Sequence, residues 1–252
     1  MSAQPTALVT GGAKRVGKAI VEDLAAHGWN VVIHARSSAD EADTLSGALN
    51  DKGAKTAVVT SDLADVGVLG ALVDEATGHF GPVNVLVNNA SVFEDDSAEE
   101  PDFDKFDAHF ALHVKTPLAL AAAMRARLAG GDGLVVNMID QRVWALTPRF
   151  FTYTLSKSAL WTATRTMAQA FAPAIRVNAI GPGPTLPNER QDAEAFETQV
   201  DGLILKRGPL LTEFGATIRY LWEARSVTGQ MIALDGGQHL AWETPDVSGI
   251  RE

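Results

Sequence analysis

Cysteine is absent from this 252-residue chain. That excludes disulfides, a thiol nucleophile and thiolate metal sites, and it fits a reducing compartment. Positive charge is in deficit: 21 Lys and Arg stand against 31 Asp and Glu, a formal charge of −10. Such a balance argues against a nucleic-acid partner or an anionic membrane surface. No apolar run is long enough to span a bilayer. The first five residues show no basic segment leading into an apolar one, so no signal peptide is expected and the default location is the cytoplasm. Repeats, low-complexity segments and an interdomain linker are also missing. What remains, 46% apolar and 21% charged residues, is the composition of a soluble globular protein. One domain over residues 1–252 is the simplest expectation, and no metal site is expected.

What is present is an alternation of short apolar runs and helical patterns. Ala7-Leu8-Val9 leads into Thr10-Gly11-Gly12-Ala13-Lys14-Arg15-Val16-Gly17, after which Val16, Ala19, Ile20 and Leu24 recur at helical spacing. Strand, glycine-bearing turn and helix form the setting of a phosphate-binding loop, because glycine lets backbone approach phosphate and a helix N-terminus attracts its charge. The pattern is not G-x-G-x-x-G; Arg15 stands where many such loops carry glycine. A second strand over residues 30–34 ends at Arg36-Ser37-Ser38. In a doubly wound sheet the residue past the second strand meets the adenosine ribose, and an arginine there accommodates a 2′-phosphate. Arg36, with Lys14 from the first loop, therefore suggests NADPH rather than NADH; the alternative is a plain surface arginine. Residues 39–53 read as a helix, with Asp40 and Glu41 at its start. A third strand over 57–59 precedes Ser61-Asp62-Leu63, where Asp62 suits either the adenine amino group or a helix cap. A helix to Phe80 is broken by Gly81-Pro82, and a fourth strand over 83–87 ends in Asn88-Asn89-Ala90-Ser91.

Further on, an acidic loop from Asp95 enters a long helix expected to run unbroken to about Leu128. A fifth strand over 134–139 delivers Asp140 to the C-terminal edge of the sheet, the edge at which ligands bind in this architecture. A helix to Phe171 carries Tyr153-Thr154-Leu155-Ser156-Lys157. Residues i and i+4 share a helix face, so phenol and ammonium point into one cleft. Positive charge nearby favours the phenolate and lowers its pKa, which would let the tyrosine exchange a proton near neutrality. A sixth strand over 175–180 ends in Gly181-Pro182-Gly183-Pro184, the polar residues 188–199 read as a mobile lid, and a helix near 211–224 precedes a last strand over 231–234. Strands alternating with helices imply a parallel sheet covered on both faces.

The ordered set Thr10-Gly11…Gly17, Asp62-Leu63, Asn88-Asn89-Ala90, Tyr153…Lys157, Asn178 with Pro182-Gly183, and Asp235-Gly236-Gly237 resembles the short-chain dehydrogenase/reductase family over nearly the whole chain. The resemblance implies a Rossmann-type doubly wound α/β sheet of about seven strands in a single domain. The cofactor half would span about 6–140 and the catalytic and substrate half about 141–245. It implies an NADPH-dependent oxidoreductase, often a homotetramer built on the long helices. Tyr153 would donate the proton, and Lys157 would bind the nicotinamide ribose and lower the tyrosine's pKa. Gly11, Lys14, Arg15, Val16, Gly17, Arg36, Ser37, Asp62, Leu63, Asn89, Ala90 and Ser91 would bind cofactor along with the Tyr–Lys pair; Pro182 and Gly183 would line its nicotinamide.

Three departures narrow the resemblance. Asp140 replaces the usual serine thirteen residues before the tyrosine, His113 replaces the usual helix asparagine, and Arg15 replaces a loop glycine. Asp140, Arg15 and Asn89-Ala90-Ser91-Val92-Phe93 resemble the pteridine reductases, in which an aromatic at the place of Phe93 stacks on the pterin. His113-Val114-Lys115-Thr116-Pro117 and Asn188-Glu189 are similar to the bacterial dihydromonapterin/dihydrofolate reductase branch. The chemistry agrees: an ionised carboxylate only accepts hydrogen bonds, so Asp140 suits a substrate with N–H donors better than a bare ketone. Arg15 makes planar, directed contacts, and Phe93 offers a stacking face. Substrate binding is thus expected from Arg15, Phe93, Asp140 and Tyr153, and catalysis from Asp140, Tyr153 and Lys157. The expected reaction is NADPH-dependent hydride transfer to a C=N bond of a dihydropterin or dihydrofolate. The alternatives are a carbonyl or 3-oxoacyl reductase and a low-turnover NADPH-binding regulatory protein. For single residues, Phe93 as core, Asp140 as a turn cap and His113 as an ordinary helix residue or a replacement proton relay stay open.

Overall fold

Strand-forming runs of Val, Leu and Ile settle into one sheet because helices cover them on both sides. In a computed structural model that describes residues 4–128, 130–187, 191–244 and 248, β1 is Thr6–Val9, β2 Asn30–Ala35, β3 Lys55–Thr60, β4 Val85–Asn88, β5 Gly133–Met138, β6 Ile175–Pro182 and β7 Met231–Leu234. Their order is β3-β2-β1-β4-β5-β6-β7, with every neighbouring pair parallel. The helices are α1 Arg15–Ala26, α2 Ala39–Asn50, α3 Leu69–Phe80, α4 Phe103–Phe110, α5 Thr116–Arg127, α6 Phe151–Phe171, α7 Ala193–Asp201 and α8 Leu211–Glu223.

Side chains alternate across the sheet, as a two-residue period requires. Ala7, Val9, Val85, Val87, Leu134 and Val136 face one core with Ile20 and Leu24 of α1 and Phe214 and Ile218 of α8. Leu8, Leu86 and Val135 face the other, with Leu72 of α3, Leu120 and Met124 of α5, and Met167 of α6. Both cores are closed to water, which is why residues 7–9 of β1, 85–87 of β4 and 134–136 of β5 are continuous apolar runs. Chain order reverses between β1 and β4, so their C-terminal ends open the crevice in which such sheets hold ligands.

The helix expected to run unbroken to Leu128 is instead α4, a π-helical segment Ala111–Lys115, and α5. Pro117 explains the change. It has no N–H for the carbonyl of His113, and its ring would press on that carbonyl; a π turn absorbs the misfit. The fourth strand starts at Val85 rather than Val83, because Asn84 is occupied as a bracket: its backbone N–H donates to Thr6 O and its side-chain oxygen accepts from Thr6 N. In the region read as a lid, Asn188 and Glu189 lie outside the described residues, and residues 193–199 belong to α7.

Candidate active site

The loop between β1 and α1 is held open for an anion. Gly11 has φ +61°, the left-handed region that favours glycine. Gly17 is required by contact: a Cβ there would overlap Gly11 O and approach Asn89 Nδ2 to 2.7 Å. Asn89 is the buttress, donating from Nδ2 to Thr10 O and Gly11 O at 2.9 and 3.1 Å. The Thr10 hydroxyl accepts from Asn89 N and Ala90 N at 2.9 and 3.0 Å. Helix α1 begins with neither a side-chain cap nor an acidic residue in its first turn, leaving its N–H groups for an incoming anion. Arg15 has φ +52°, which explains why glycine suits that position. Its guanidinium donates to Leu186 O and Pro187 O at 3.4 and 3.1 Å, across to the chain beyond β6.

Every residue expected at the cofactor from Gly11 to Ser91 lines one groove of about 440 Å³. The two cations expected at the 2′-phosphate are not idle. Lys14 pairs with Glu41 at 2.6 Å, and Arg36 lies 4.0 Å from Asp62. Both pairs are exposed and hence weak, so an incoming phosphate can exchange for them. Asp62 also accepts from Ala64 N at 3.0 Å but caps no helix, since the short helical turn that follows is capped by Asp65. His34, absent from the sequence expectations, sits beneath the loop. Its Nδ1 accepts from Gly11 N at 3.3 Å, so its Nε2 carries the proton and donates to Ser61 O at 3.1 Å.

A second cavity of about 580 Å³ adjoins the first and shares Arg15, Val16 and Phe93 with it. Arg15, Phe93, Asp140 and Tyr153 meet there, with Pro182 and Gly183 on its wall. Lys157 lies just beneath, 2% exposed, its ammonium donating to Met138 O at 2.9 Å. Burial brings its pKa down from 10.5 to about 8, against the pull of Asp140.

The tyrosine departs from the sequence expectation. Its pKa is not lowered by Lys157 but pushed well above 10.0, first by burial and then by the negative charge of Asp140. The phenol donates to Asp140 Oδ2 at 3.1 Å, and a phenolate beside that carboxylate, away from water, is disfavoured. Lys157 Nζ, 5.6 Å from the ring centroid, does not overcome these two effects. Asp140 is a turn cap as well: it accepts from Arg142 N at 2.8 Å and from the Arg142 guanidinium at 3.3 Å. Phe93 is no isolated platform. It stacks on Phe150 with centroids 4.2 Å apart and meets the Tyr153 ring edge-on at 4.8 Å, with Arg142 over both phenyl rings at 5.3 and 5.1 Å.

Sequence reasoning missed Gln141, Arg142 and Phe150, whose neighbours Asp140 and Tyr153 were the available signal. Gln141 is 4% exposed and lines the larger cavity, yet its side-chain oxygen has no hydrogen-bond partner. Among the described residues no cluster of His, Cys, Asp or Glu could hold a metal, and no helix is long and apolar enough to cross a membrane.

His113 is 1% exposed and has both ring nitrogens engaged. Nε2 accepts from Val92 N at 3.2 Å and lies 2.9 Å from Ser91 Oγ, so the proton is on Nδ1, directed at Ser156 Oγ 2.8 Å away. Neither nitrogen bonds Lys157, so in this arrangement the imidazole is not a relay to that ammonium. Burial, helped by Lys157 and His109, holds its pKa well below 6.5. Above about pH 6.5 folded and unfolded chains both carry a neutral imidazole; below it the unfolded chain takes up a proton that the folded site refuses. Stability therefore falls as pH drops from 6.5 toward the depressed folded value. Denaturant titrations between pH 8 and 5 are expected to show a shallower loss for His113→Asn than for the parent. Equal slopes would contradict a neutral buried imidazole.

A doubly wound parallel sheet, a phosphate-receptive loop at its switch point and a Tyr–Lys pair beside a second cavity define a nucleotide-binding α/β oxidoreductase. Residues 11–239 match the family described as Enoyl-(Acyl carrier protein) reductase. The chain is 31% identical over 240 residues to a dihydromonapterin reductase of Citrobacter koseri, covering 92% of this chain and 96% of that one. It is 30% identical over 279 residues to pteridine reductase 1 of Leishmania tarentolae, covering 94% and 96%. The crystal structure of FolM alternative dihydrofolate reductase 1 from Brucella suis, in complex with NADP, superposes with a TM-score of 0.96 at 60% identity, covering 98% of this chain and 100% of that one. The chain belongs to the short-chain dehydrogenase/reductase family.

Proposed function

We propose that this protein is an NADPH-dependent reductase that transfers hydride to a C=N bond of a dihydropterin or dihydrofolate. The observation that carries the reading is the cavity shared by Arg15, Phe93, Asp140 and Tyr153. Carboxylate acceptors, guanidinium donors and aromatic faces converge there, the set that a flat ring bearing N–H and carbonyl groups requires. The unpartnered oxygen of Gln141 adds one more acceptor at that cavity. Relatives named for dihydromonapterin, pteridine and dihydrofolate reduction support it.

The groove fits NADPH: the uncapped start of α1 and the glycine contact at Gly17 leave room and donors for a pyrophosphate. Lys14 and Arg36 would hold its 2′-phosphate, Asp62 and Leu63 its adenine end, Asn89, Ala90 and Ser91 its ribose, and Lys157, Pro182 and Gly183 its nicotinamide end. When bound, the cofactor supplies the hydride. The chain supplies the rest. Phe93 and Arg15 hold the ring, and Asp140 accepts from its N–H groups. As the substrate carbon gains hydride, the ring nitrogen must gain a proton, and the Tyr153 hydroxyl, kept protonated by burial, is its source. Lys157 then faces the phenolate left behind. A carbonyl or 3-oxoacyl reductase is the competing reading.

The reading extends to one domain whose first half, about 6–140, holds cofactor while 141–245 supplies most of the substrate wall. It extends to a homotetramer in the cytoplasm, supported by exposed Leu118 on α5 and Leu155 on α6 and by the absence of cysteine. Steady-state oxidation of NADPH and of NADH, with a panel of dihydropterins, dihydrofolate, ketones and 3-oxoacyl thioesters, tests the cofactor and substrate assignments. Dihydropterins with NADPH are expected to give the highest kcat/KM. Arg36→Asp is expected to raise the NADPH KM by about tenfold or more, the effect of losing one charge-assisted pair and adding a repulsion. Equal efficiency with NADH in the parent would overturn the cofactor assignment.

A further inference from the structure

The two histidines His109 and His113 lie one helical turn apart, at 0% and 1% exposure, with ring centroids 5.5 Å apart and planes 18° from parallel. Each spans the same gap. On one side His109 Nε2 accepts from Glu94 N at 3.4 Å, and His113 Nε2 accepts from Val92 N at 3.2 Å and lies 2.9 Å from Ser91 Oγ; the two amides flank Phe93. On the other side His109 Nδ1 lies 2.9 Å from Thr152 Oγ1 and His113 Nδ1 lies 2.8 Å from Ser156 Oγ; these two hydroxyls flank Tyr153. The Ser156 hydroxyl spends its own proton on Tyr153 O at 2.7 Å, so it must accept from His113. A backbone N–H can only donate, so both imidazoles are neutral with the proton on Nδ1. Burial lowers the pKa of both, in agreement with that assignment. The Tyr153 ring stands edge-on to both imidazoles at 5.8 and 5.4 Å.

We propose that His109 and His113 are positioning residues, a two-rung ladder that sets where the ring of Phe93 lies relative to the Tyr153 hydroxyl and thereby how a planar substrate stacked on Phe93 is aligned with its proton donor. This rests on the reading that a flat ring binds against Phe93. Neither histidine touches substrate. Each acts by fixing one amide beside Phe93 against one hydroxyl beside Tyr153, so stacking face and proton donor move as one body. Buried, fully satisfied polar networks rigidify in this way. The nitrogen that matters for substrate is the acceptor facing the loop, Nε2; the Nδ1–H facing α6 only anchors the ring.

Asparagine and glutamine separate these two nitrogens. An asparagine amide reaches the position of Nδ1 and keeps the bond to the hydroxyl. A glutamine amide reaches the position of Nε2 and keeps the acceptor for the loop amide. His109→Asn and His113→Asn are expected to raise the KM of the planar substrate that the parent reduces best by about fivefold or more, the order of one lost hydrogen bond. kcat should fall less. The glutamine variants should stay within about twofold of the parent on the same reasoning. A second readout needs no substrate. Amide hydrogen exchange at Val92 and Glu94 in the ligand-free protein should accelerate by about tenfold in the asparagine variants and stay near the parent rate in the glutamine variants. Asparagine and glutamine variants that match in both readouts would overturn the proposal, as would faster exchange with unchanged KM. A parent that reduces ketones but no pterin, with the exchange pattern as expected, would overturn the pterin reading alone.

Discussion

Tyr153→Phe lowers kcat by about 10²-fold or more, the range for loss of a positioned proton donor, and leaves the NADPH dissociation constant nearly unchanged. The phenol is buried against Asp140 and the two imidazoles, and it remains protonated through the physiological range because burial and that carboxylate oppose its ionisation. Phenylalanine keeps the ring contacts with Phe93, His109 and His113 and removes one O–H. The loss therefore falls on the proton step rather than on folding or cofactor affinity. The measurement is single-turnover reduction of a dihydropterin with NADPH and with its 4-deuterated form, alongside fluorescence titration of NADPH. A variant with parental turnover and a full deuterium effect would place the proton source elsewhere, with Asp140 first in line.

Asp140→Ser divides the two enzymatic readings. In the structure its carboxylate accepts from Tyr153 Oη, from Arg142 N and from the Arg142 guanidinium. A pterin would bring further N–H donors to the same oxygens. Serine keeps one acceptor oxygen and adds a donor. Each substrate donor left unpaired in a closed site costs about 1–3 kcal/mol, so dihydropterin kcat/KM is expected to fall by about 10²-fold for two lost partners, with a tenfold loss per 1.4 kcal/mol. For a ketone the new hydroxyl is a donor to the carbonyl, and activity should hold or rise. A variant that gains on ketones, from a parent inactive on every pterin, would leave the family assignment standing and remove the substrate. Because Arg142 loses its partner in this variant, thermal unfolding must be recorded beside the kinetics.

The alternation of apolar runs and helical patterns made the parallel sheet legible, since the central strands β1, β4 and β5 are buried on both faces and their sequences show it. The phosphate-binding loop and the Tyr153–Lys157 pair were legible for a similar reason: their spacings are local, and a helix face or a strand–turn–helix corner turns spacing directly into geometry. The π segment was less legible. Pro117 was visible, but whether a helix kinks, ends or takes in an extra residue depends on what packs around it, here a loop and α6.

The sequence by itself determined the fold class, the edge of the sheet where the site lies and the residue types gathered there, because these follow from periodicity and from chemistry within a few positions. Only the tertiary structure decided the direction of the tyrosine's pKa. That direction depends on burial and on a carboxylate thirteen residues away rather than on the lysine one turn away. It likewise decided what His113 does. The backbone amide and the serine hydroxyl that fix its proton lie 21 and 43 residues away along the chain, distances over which only folding brings groups together.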